Sequence, residues 1–392
     1  MNNSLISVII PAYNASEYIG RTLTSVINQS YQNFEILVVD DGSTDETASI
    51  ASHFAELDSR IMLIQQANQG VASARNHGIK VAQGEYIAPL DADDIWHKDN
   101  LKKKFQMFLM QEASVGMVYS WSADIDELGY FTGHTHVARY FGNVLPGLCL
   151  SNFIGNASST MIRSKCFNNI GGYSTELKDN NAQGAEDWDL YIRLAICYQV
   201  QVIPEVLVGY RQLTNGMSKN TVVMMKSQYL TLKRLKDKLA FQCPMLERRI
   251  SSSHLSVMTR QFYEEEAFDQ ALAHFIKAIW GEGLITLLPF RNWRLLLKIL
   301  SKLFLGGWLT ASSFEENDAQ SPSFLICRPI TKYLDWIFNL FADNNYTPIQ
   351  KLSEQIYPAG QEVGVLPWRN TILLKYQFLK QINTLTGQGL LW

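Results

Sequence analysis

The first 120 residues alternate between two hydrophobic periods, and this alternation constrains the fold more than any other feature of the chain. Short apolar runs rich in β-branched residues predict buried strands, and apolar residues three and four positions apart predict amphipathic helices. The predicted strands are residues 5–10, 34–39, 60–64, 85–90 and 115–121. The predicted helices are residues 16–29, 45–57, 70–82 and 98–110. Strands that alternate with helices predict an α/β fold with a mainly parallel sheet and helices on both faces.

The pattern changes twice further along the chain. Residues 122 to about 185 are rich in Gly, Asn and Ser, and predict loops and short strands of the kind that recognise a variable substrate. A helix over 187–197 and a strand over 200–203 follow, and from about residue 224 the pattern is mostly helical. We therefore expect a first domain over 1–223, with parts 1–121 and 122–223, and a helical C-terminal region over 224–392.

Composition excludes several classes of protein. With 47% hydrophobic residues and a net charge of -3 over 392 residues, the chain is neither disordered nor a dedicated nucleic-acid binder. Its five cysteines are scattered, without the spacing of a zinc site or a disulfide framework. The N-terminus lacks the basic region of a signal peptide, and no apolar run of about 20 residues predicts a membrane span. These features predict a cytoplasmic protein.

Acidic residues follow two of the predicted strands. Asp40 and Asp41 come after the second strand, and Asp91, Asp93 and Asp94 come after the fourth. Ligands of a parallel sheet bind at the carboxyl ends of its strands, where these carboxylates would repel one another unless a cation lay between them. Hard oxygen ligands select Mg²⁺ or Mn²⁺, whose remaining coordination positions are often filled by diphosphate oxygens.

Structural roles compete with this interpretation. Any one of these aspartates alone is more often a turn former, and Asp45, Asp99 and Asp187 are good helix N-caps. No glycine-rich dinucleotide or P-loop motif follows the first strand. A response-regulator-like acidic pocket would use a similar sheet, but it would not explain the carboxylates of Glu186 and Asp187.

Taken together and in order, the motifs resemble the inverting family 2 glycosyltransferases, which have the GT-A nucleotide-sugar fold. The resemblance covers residues 5–215, and each piece alone is weak. Its motifs are Ser7-Val8-Ile9-Ile10-Pro11-Ala12-Tyr13-Asn14, Val38-Val39-Asp40-Asp41-Gly42-Ser43-Thr44-Asp45, Asn68-Gln69-Gly70, Ala74-Arg75-Asn76, Leu90-Asp91-Ala92-Asp93-Asp94 and Glu186-Asp187-Trp188-Asp189-Leu190. The resemblance implies a nucleotide-sugar binding part over 1–121 and an acceptor and catalytic part over 122–223.

The resemblance also implies which residues bind the donor. Tyr13 matches the residue that lies against the nucleotide base, and Pro11 shapes the turn beside it. Asp41 matches the carboxylate that accepts a hydrogen bond from the base, typically uracil. Arg75 matches a basic residue near the nucleotide, where a guanidinium can chelate phosphate or ribose oxygens.

The remaining matches concern the metal and the base. Asp91 and Asp93 match the D-x-D pair, the first directed to ribose or metal and the second to a Mn²⁺ or Mg²⁺ ion that bridges the diphosphate. Asp187 matches the general base that removes the acceptor proton, and Glu186 is expected to support the acceptor or its loop. Single displacement inverts the anomeric centre. The expected acceptor is a saccharide or lipid-linked hydroxyl in polysaccharide or glycolipid synthesis.

One position departs from the family pattern. Many members carry a Tyr-Arg-x-His stretch whose histidine helps at the metal or diphosphate, but here Leu213 stands in that place. His134 or His136 could complete the shell, although loop histidines are more often solvated surface residues. The departure keeps an alternative open, namely a catalytically silent nucleotide-sugar-binding or membrane-associated scaffold protein with the same fold.

The C-terminal region carries two helical patterns. Residues 262–279 have the spacing of one tetratricopeptide-like unit, and since a solenoid needs about three units, a plain helical hairpin is the better interpretation. Residues 293–305 place basic residues on one face and Trp, Leu and Phe on the other. This pattern is typical of a helix at a membrane interface, but also of a surface helix packed on a core. It predicts a peripheral contact with the cytoplasmic face of a membrane as one of two alternatives.

Overall fold

The computed structural model describes residues 3–214, 221–239, 246–282, 295–300 and 363–365. The chain divides into two compact units. One unit is formed by residues 1–220 together with 361–392, and the other by residues 221–360.

The first unit is built on one mixed sheet. Its strands are β1 Ile6–Ala12, β2 Phe34–Asp40, β3 Ile61–Gln65, β4 Tyr86–Pro89, β5 Ile95–Trp96, β6 Val115–Ile125, β7 Phe131–His136, β8 Tyr140–Gly142, β9 Thr160–Arg163, β10 Gln199–Arg211 and β11 Val363–Val365. Among the described residues the strand order is β11-β8-β10-β6-β9-β4-β1-β2-β3, with β5 paired to β10 and β7 to β6. The four longest ladders, β10–β6, β1–β2, β2–β3 and β1–β4, are parallel.

Helices cover both faces of this sheet. They are α1 Ile19–Ile27, α2 Thr47–Leu57, α3 Val71–Val81, α4 Asn100–Leu109, α5 Leu145–Leu150, α6 Cys166–Ile170, α7 Glu176–Asp179 and α8 Glu186–Cys197. The apolar stripes of α1 and α4 pack with Val8 and Ile10 in one buried cluster. Ile9 points to the other face, because successive side chains of a strand alternate. There α3 approaches so closely that a Cβ at Gly78 would lie 2.5 Å from the Ile9 side chain.

The strands and helices predicted over the first 121 residues are present, with ends shifted by up to four residues. Helix α1 begins at Ile19, three residues after the predicted start at residue 16, and the Ser16 backbone N–H donates to Asp45 at 3.1 Å. Asp45 also accepts from the backbone N–H of Thr47 at 3.0 Å, so it acts at the start of α2 as predicted.

A polar segment before β9 was not foreseen. Strand β9 lies antiparallel between β4 and β6, and the short 3-10 turn Ala157–Ser159 that precedes it is completely buried. Asn156 caps this turn by accepting from the Ser159 backbone N–H at 2.9 Å, and its amide donates to Ser122 at 2.9 Å. Buried polar groups of this kind are stable only when hydrogen-bonded, as they are here. The turn thereby carries Ser158 to the end of β4.

The described residues of the second unit are helical apart from one short turn. Its helices are α9 Thr221–Leu239, α10 Leu246–Glu264 and α11 Phe268–Glu282, followed by helical residues 295–300. Helices α10 and α11 form the expected hairpin. Of the predicted helix 293–305, the structure describes residues 295–300, in which Leu295 and Ile299 are buried with Ala271. Within the described part of the chain, no helix has the length and apolarity needed to cross a bilayer.

Candidate active site

The candidate site lies where three neighbouring parallel strands end. Strand β1 lies between β2 and β4, so the carboxyl ends of all three open at one edge of the sheet. Pro11 is buried near the end of β1, and Tyr13 directly after it is 53% exposed. Asp41 follows β2, and Asp91 follows β4 by two residues. The structure therefore places the residues of three separate motifs at this edge.

Asp41 is buried and organises the loop before α3. Its Oδ1 accepts from the Gln66 side chain at 2.7 Å and from the Gln69 backbone N–H at 2.8 Å, and its Oδ2 accepts from the Gly70 backbone N–H at 2.7 Å. Gly70 has φ +86°, a left-handed conformation that favours glycine. A carboxylate offers about four lone-pair sites, so Asp41 retains capacity for another donor.

Arg75 extends from α3 to the D-x-D segment. It is buried, forms an ion pair with Asp91, and lies over the Tyr173 ring at 5.0 Å. Its Nε–H has no hydrogen-bond partner among the described residues. The guanidinium is 7% exposed and the Asp91 side chain 28% exposed, and the ion pair orients Asp91 towards α3. The unpartnered N–H group leaves the guanidinium able to bind an additional oxygen.

Asp93 and Asp94 have different surroundings. Burial and then the neighbouring charge of Asp91 raise the pKa of Asp93. Asp94 is wholly buried, binds the Ser158 hydroxyl and accepts from the Arg211 backbone N–H at 2.8 Å. The hydrogen bonds of Asp94 therefore link the loop after β4 to the end of β10. The charge of Asp93 is compensated less by neighbouring hydrogen-bond donors.

A divalent cation fits the oxygen ligands of this segment. After burial, the charge of Asp91 is the main cause that raises the pKa of Asp93, and the opposing effects of Arg211 and Arg75 are smaller. A cation between Asp91 and Asp93 would remove that repulsion. Carboxylate oxygens are the ligands that Mg²⁺ and Mn²⁺ prefer.

Asp187 lies in the first turn of α8. Its Oδ1 accepts from the Trp188 backbone N–H at 2.7 Å, and its Oδ2 accepts from the Asn152 amide at 3.3 Å. Burial raises the pKa of Asp187 to about 7, and the opposing effect of Arg75 is smaller. A carboxylate with a pKa near the operating pH is suited to remove a proton.

Glu186 precedes Asp187 in the chain, and its carboxylate has a different hydrogen-bond partner. It is buried, and its carboxylate accepts from the Gly184 backbone N–H at 2.8 Å. Burial raises the pKa of Glu186 as well. This hydrogen bond closes the turn that precedes α8. Glu186 can therefore support the loop beside Asp187.

Charge interactions connect the groups that the sequence predicted from distant motifs. Arg75 and Asp91 both act on the pKa of Asp187, and the same two residues act on the pKa of Asp93. The buried guanidinium of Arg75 thus lies within electrostatic reach of four carboxylates, those of Asp91, Asp93, Asp187 and Glu186. The sequence did not predict Asn152 or Tyr173 in this group, because their contacts join positions far apart in the chain.

Leu213 is partly buried beyond the end of β10, and Arg211 two residues before it reaches the D-x-D segment. The Arg211 guanidinium donates to the backbone oxygens of Asp93 at 2.7 Å, Asp126 at 2.7 Å and Glu127 at 2.8 Å. Arg211 therefore fixes the backbone at Asp93 without contacting its carboxylate.

A second cluster of potential metal ligands lies on β6 and β7. His134 Nδ1 is 3.0 Å from Asp124 Oδ2, and His136 Nε2 is 2.8 Å from Asp124 Oδ1. The His134 side chain is 65% exposed, whereas that of Asp124 is 12% exposed. Neither histidine is an isolated surface residue, because both pair with one carboxylate.

Comparison with known proteins identifies a family and a fold. The family model described as Glycosyl transferase family 2 matches residues 7–170. The chain is 32% identical over 227 residues to TuaG of Bacillus subtilis (strain 168), a protein named for teichuronic acid biosynthesis. That match covers 55% of this chain and 82% of TuaG. This chain is also 39% identical over 146 residues to an uncharacterized glycosyltransferase of Rickettsia conorii (strain ATCC VR-613 / Malish 7). This second match covers 37% of this chain and 24% of the relative, so the chain spans under half the length of several relatives that it matches.

Two solved structures share the fold at low sequence identity. Staphylococcus aureus TarS 1–349 in complex with UDP-GlcNAc superimposes with a TM-score of 0.54 and 19% identity, over 74% of this chain and 83% of TarS 1–349. The mannosyltransferase PcManGT from Pyrobaculum calidifontis, in complex with GDP-Man and Mn²⁺, superimposes with a TM-score of 0.51 and 19% identity. That superposition covers 77% of this chain and 87% of PcManGT. At this identity the likeness concerns the fold.

Proposed function

Because the chain belongs to glycosyltransferase family 2 and has the GT-A fold, we propose that it is an inverting, metal-dependent hexosyltransferase. In this proposal a sugar moves from a nucleotide-diphosphate sugar, a UDP-sugar, to an acceptor hydroxyl. The observation that carries the proposal is the group formed by the buried Arg75 and the partly buried carboxylates of Asp91, Asp93 and Asp187. In this group one carboxylate has a pKa near 7, and another is destabilised by a neighbouring like charge.

Asp187 is the general base of the proposed reaction. Transfer requires an acceptor oxygen to attack the anomeric carbon while the nucleoside diphosphate leaves, through an oxocarbenium-like transition state. Asp187 Oδ2 would take the acceptor proton, and the Trp188 N–H at Oδ1 would keep the carboxylate oriented. One displacement from the face opposite the leaving group inverts the anomeric centre, so an α-linked donor gives a β-linked product.

Asp93 is the proposed ligand of the divalent cation, Mn²⁺ or Mg²⁺, which when bound neutralises charge on the leaving diphosphate. Arg75 keeps Asp91 in place through their ion pair and offers its unpartnered Nε–H to a phosphate or ribose oxygen. The complex of PcManGT with GDP-Man and Mn²⁺ supports a divalent metal in this fold.

The base-binding residues are proposed to be Tyr13, Asp41 and Pro11. The exposed ring of Tyr13 at the end of β1 offers a flat apolar surface to a base. Asp41 has remaining acceptor capacity, as a uracil N–H would require. The complex of TarS with UDP-GlcNAc supports a UDP-sugar as the donor.

The proposed acceptor is a saccharide or a lipid-linked saccharide in polysaccharide or glycolipid synthesis. The name of TuaG, which refers to teichuronic acid biosynthesis, supports a surface polymer. Peripheral membrane contact through 293–305 stays a prediction, as does the cytoplasmic location. The burial of Leu295 and Ile299 favours the alternative in which this helix packs on a core.

Donor binding tests the nucleotide assignment. The melting temperature of the full chain would be measured with UDP-, GDP- and dTDP-sugars, each with Mn²⁺, with Mg²⁺ and with EDTA. A UDP-sugar at 100 times its Kd is expected to stabilise the fold by about 2.7 kcal/mol, or about 3–5 °C in a chain of this length, and only with metal. A shift with a GDP- or dTDP-sugar alone would overturn the UDP assignment, and no shift with any donor would overturn the nucleotide-sugar proposal.

The rate of transfer is expected to depend on pH through Asp187. Its pKa is raised to about 7 by burial, and only the ionised carboxylate can accept a proton. The value of kcat/KM should therefore fall about tenfold per pH unit below 7 and be level above it. Initial rates between pH 5 and 9 at saturating metal would show this limb. A flat profile from pH 5 to 8 would contradict the assignment of Asp187 as the base.

A further inference from the structure

The Asp124, His134 and His136 side chains converge because of the register of one hairpin. Strands β6 and β7 pair antiparallel, with Ser122 opposite His136 and Ala123 opposite Thr135. Side chains two positions apart on a strand share a face, so His134 and His136 lie on one face of β7. Asp124 lies on β6 where the register shifts between Ala123 and Ile125. Its carboxylate contacts both imidazoles, so two imidazoles and one carboxylate converge at this irregularity of the hairpin.

The geometry of these three groups is that of a metal site. One ligand atom from each residue lies within 4.8 Å of the other two. Asp124 Oδ2 is 3.0 Å from His134 Nδ1, and Asp124 Oδ1 is 2.8 Å from His136 Nε2. Around a tetrahedral zinc ion with bonds of about 2.0–2.1 Å, ligand atoms are about 3.3 Å apart. Two of the three pairs of ligand groups, Asp124–His134 and Asp124–His136, are within about 0.5 Å of that spacing.

We propose that Asp124, His134 and His136 bind a divalent transition-metal ion, with zinc as the preferred ion. Imidazole nitrogens favour zinc, whereas the all-oxygen set at Asp91 and Asp93 favours Mg²⁺ or Mn²⁺. The two sites therefore differ in the ion that they select. This inference concerns ion binding and holds whether or not the proposed transferase activity is correct.

The site leaves one coordination position open. Three protein ligands are the number found in zinc sites that keep a fourth position for water or a substrate oxygen. The exposure of His134 gives solvent access to the ion, while Asp124 is mostly buried. An oxygen-bearing ligand could therefore bind there in place of water.

The hairpin cluster also contacts the loop that leads to Asp187. A Cβ at Gly155 would lie 3.5 Å from His136 Nδ1, so this imidazole rests against the loop backbone. Asn152 in the same loop bonds both the Gly155 backbone N–H and the Asp187 carboxylate. An ion that holds His136 would thus stabilise the loop on which Asn152 reaches Asp187.

Calorimetric titration of the full chain with ZnCl₂ tests the inference. The protein is first treated with EDTA and dialysed, and no nucleotide is present, so that the Asp93 site lacks its diphosphate oxygens. Wild type is expected to bind one zinc ion at this site. His134→Ala and His136→Ala should each raise the Kd for zinc by about 100-fold or more, since each removes one of three ligands.

Two controls separate this site from other zinc binding. His53→Ala removes an exposed histidine on α2, and Asp93→Asn alters the other metal site, so both should bind zinc like wild type. His134 is mostly exposed, so its replacement should keep the fold, which circular dichroism would verify. Wild type without zinc binding, or zinc affinity unchanged in both His134→Ala and His136→Ala, would overturn the proposal.

Discussion

Replacing Asp187 with asparagine is expected to lower the rate of sugar transfer by about 10²–10⁴-fold. The amide oxygen can still accept from the Trp188 N–H, whereas the longer bond from the Asn152 amide to the second oxygen is lost. The asparagine side chain cannot take a proton from the acceptor hydroxyl. The donor should therefore bind with near wild-type affinity while kcat falls. Steady-state rates at saturating donor and metal, together with calorimetric donor affinity, would separate the two effects.

Glu186→Gln is the matched control for this variant. Glu186 is adjacent, buried and acidic, but its carboxylate bonds the Gly184 backbone N–H, and glutamine can accept the same bond. We expect less than about a tenfold loss of rate. Equal losses in the two variants, or a larger loss in Glu186→Gln, would contradict the assignment of Asp187 as the base.

Replacing Asp93 with asparagine is expected to lower metal-supported turnover by about 10²–10³-fold. Loss of one anionic ligand weakens the hold on a cation that contributes several kcal/mol to stabilising the leaving diphosphate. The concentration of Mn²⁺ that gives half the maximal rate should rise together with the KM for the donor. Rates measured over a series of Mn²⁺ concentrations would report both quantities.

The Asp94→Asn variant distinguishes the loss of a metal ligand from a disturbance of the local structure. Asp94 is next in the chain and wholly buried, but its oxygens bond the Ser158 hydroxyl and the Arg211 backbone N–H. Burial raises the pKa of Asp94 well above its ordinary value, and an asparagine of the same shape can still accept from the Arg211 backbone N–H. The metal concentration for half-maximal rate should stay at the wild-type value. If Asp94→Asn changed the metal dependence as strongly as Asp93→Asn, the assignment of Asp93 as the metal ligand would be wrong.

The parallel half of the sheet could be predicted from the sequence because its strands are buried on both faces. Such strands are continuous apolar runs, as at 34–39, and their boundaries follow from the polar residues after them. Strand β9 could not be predicted in this way. It has four residues, and the buried turn before it contains Ser158 and Ser159, which resemble an exposed loop until their partners are known.

The chemistry of the site was predictable by residue type, but its spatial arrangement was not. The motifs indicate that Asp91 and Asp187 belong to the site. They do not indicate that Arg75 forms an ion pair with Asp91 and lowers the pKa of Asp187. The Asp124 cluster depends on hairpin register, which a loop-like sequence rich in glycine specifies weakly. The raised pKa of Asp187 likewise depends on burial by side chains from several elements.

Nucleotide release is the measurement that tests the central claim most directly. Wild type would be incubated with the donor that binds, once with Mn²⁺ and once with EDTA, and free nucleoside diphosphate would be quantified over time. Slow hydrolysis without an acceptor is sufficient for detection. We expect release of nucleoside diphosphate that requires metal and is lost in Asp187→Asn. The contrary result is wild-type protein that binds a donor but releases no nucleotide, either alone or with any acceptor extract. That result would contradict the transferase proposal and would support the silent nucleotide-sugar-binding protein instead.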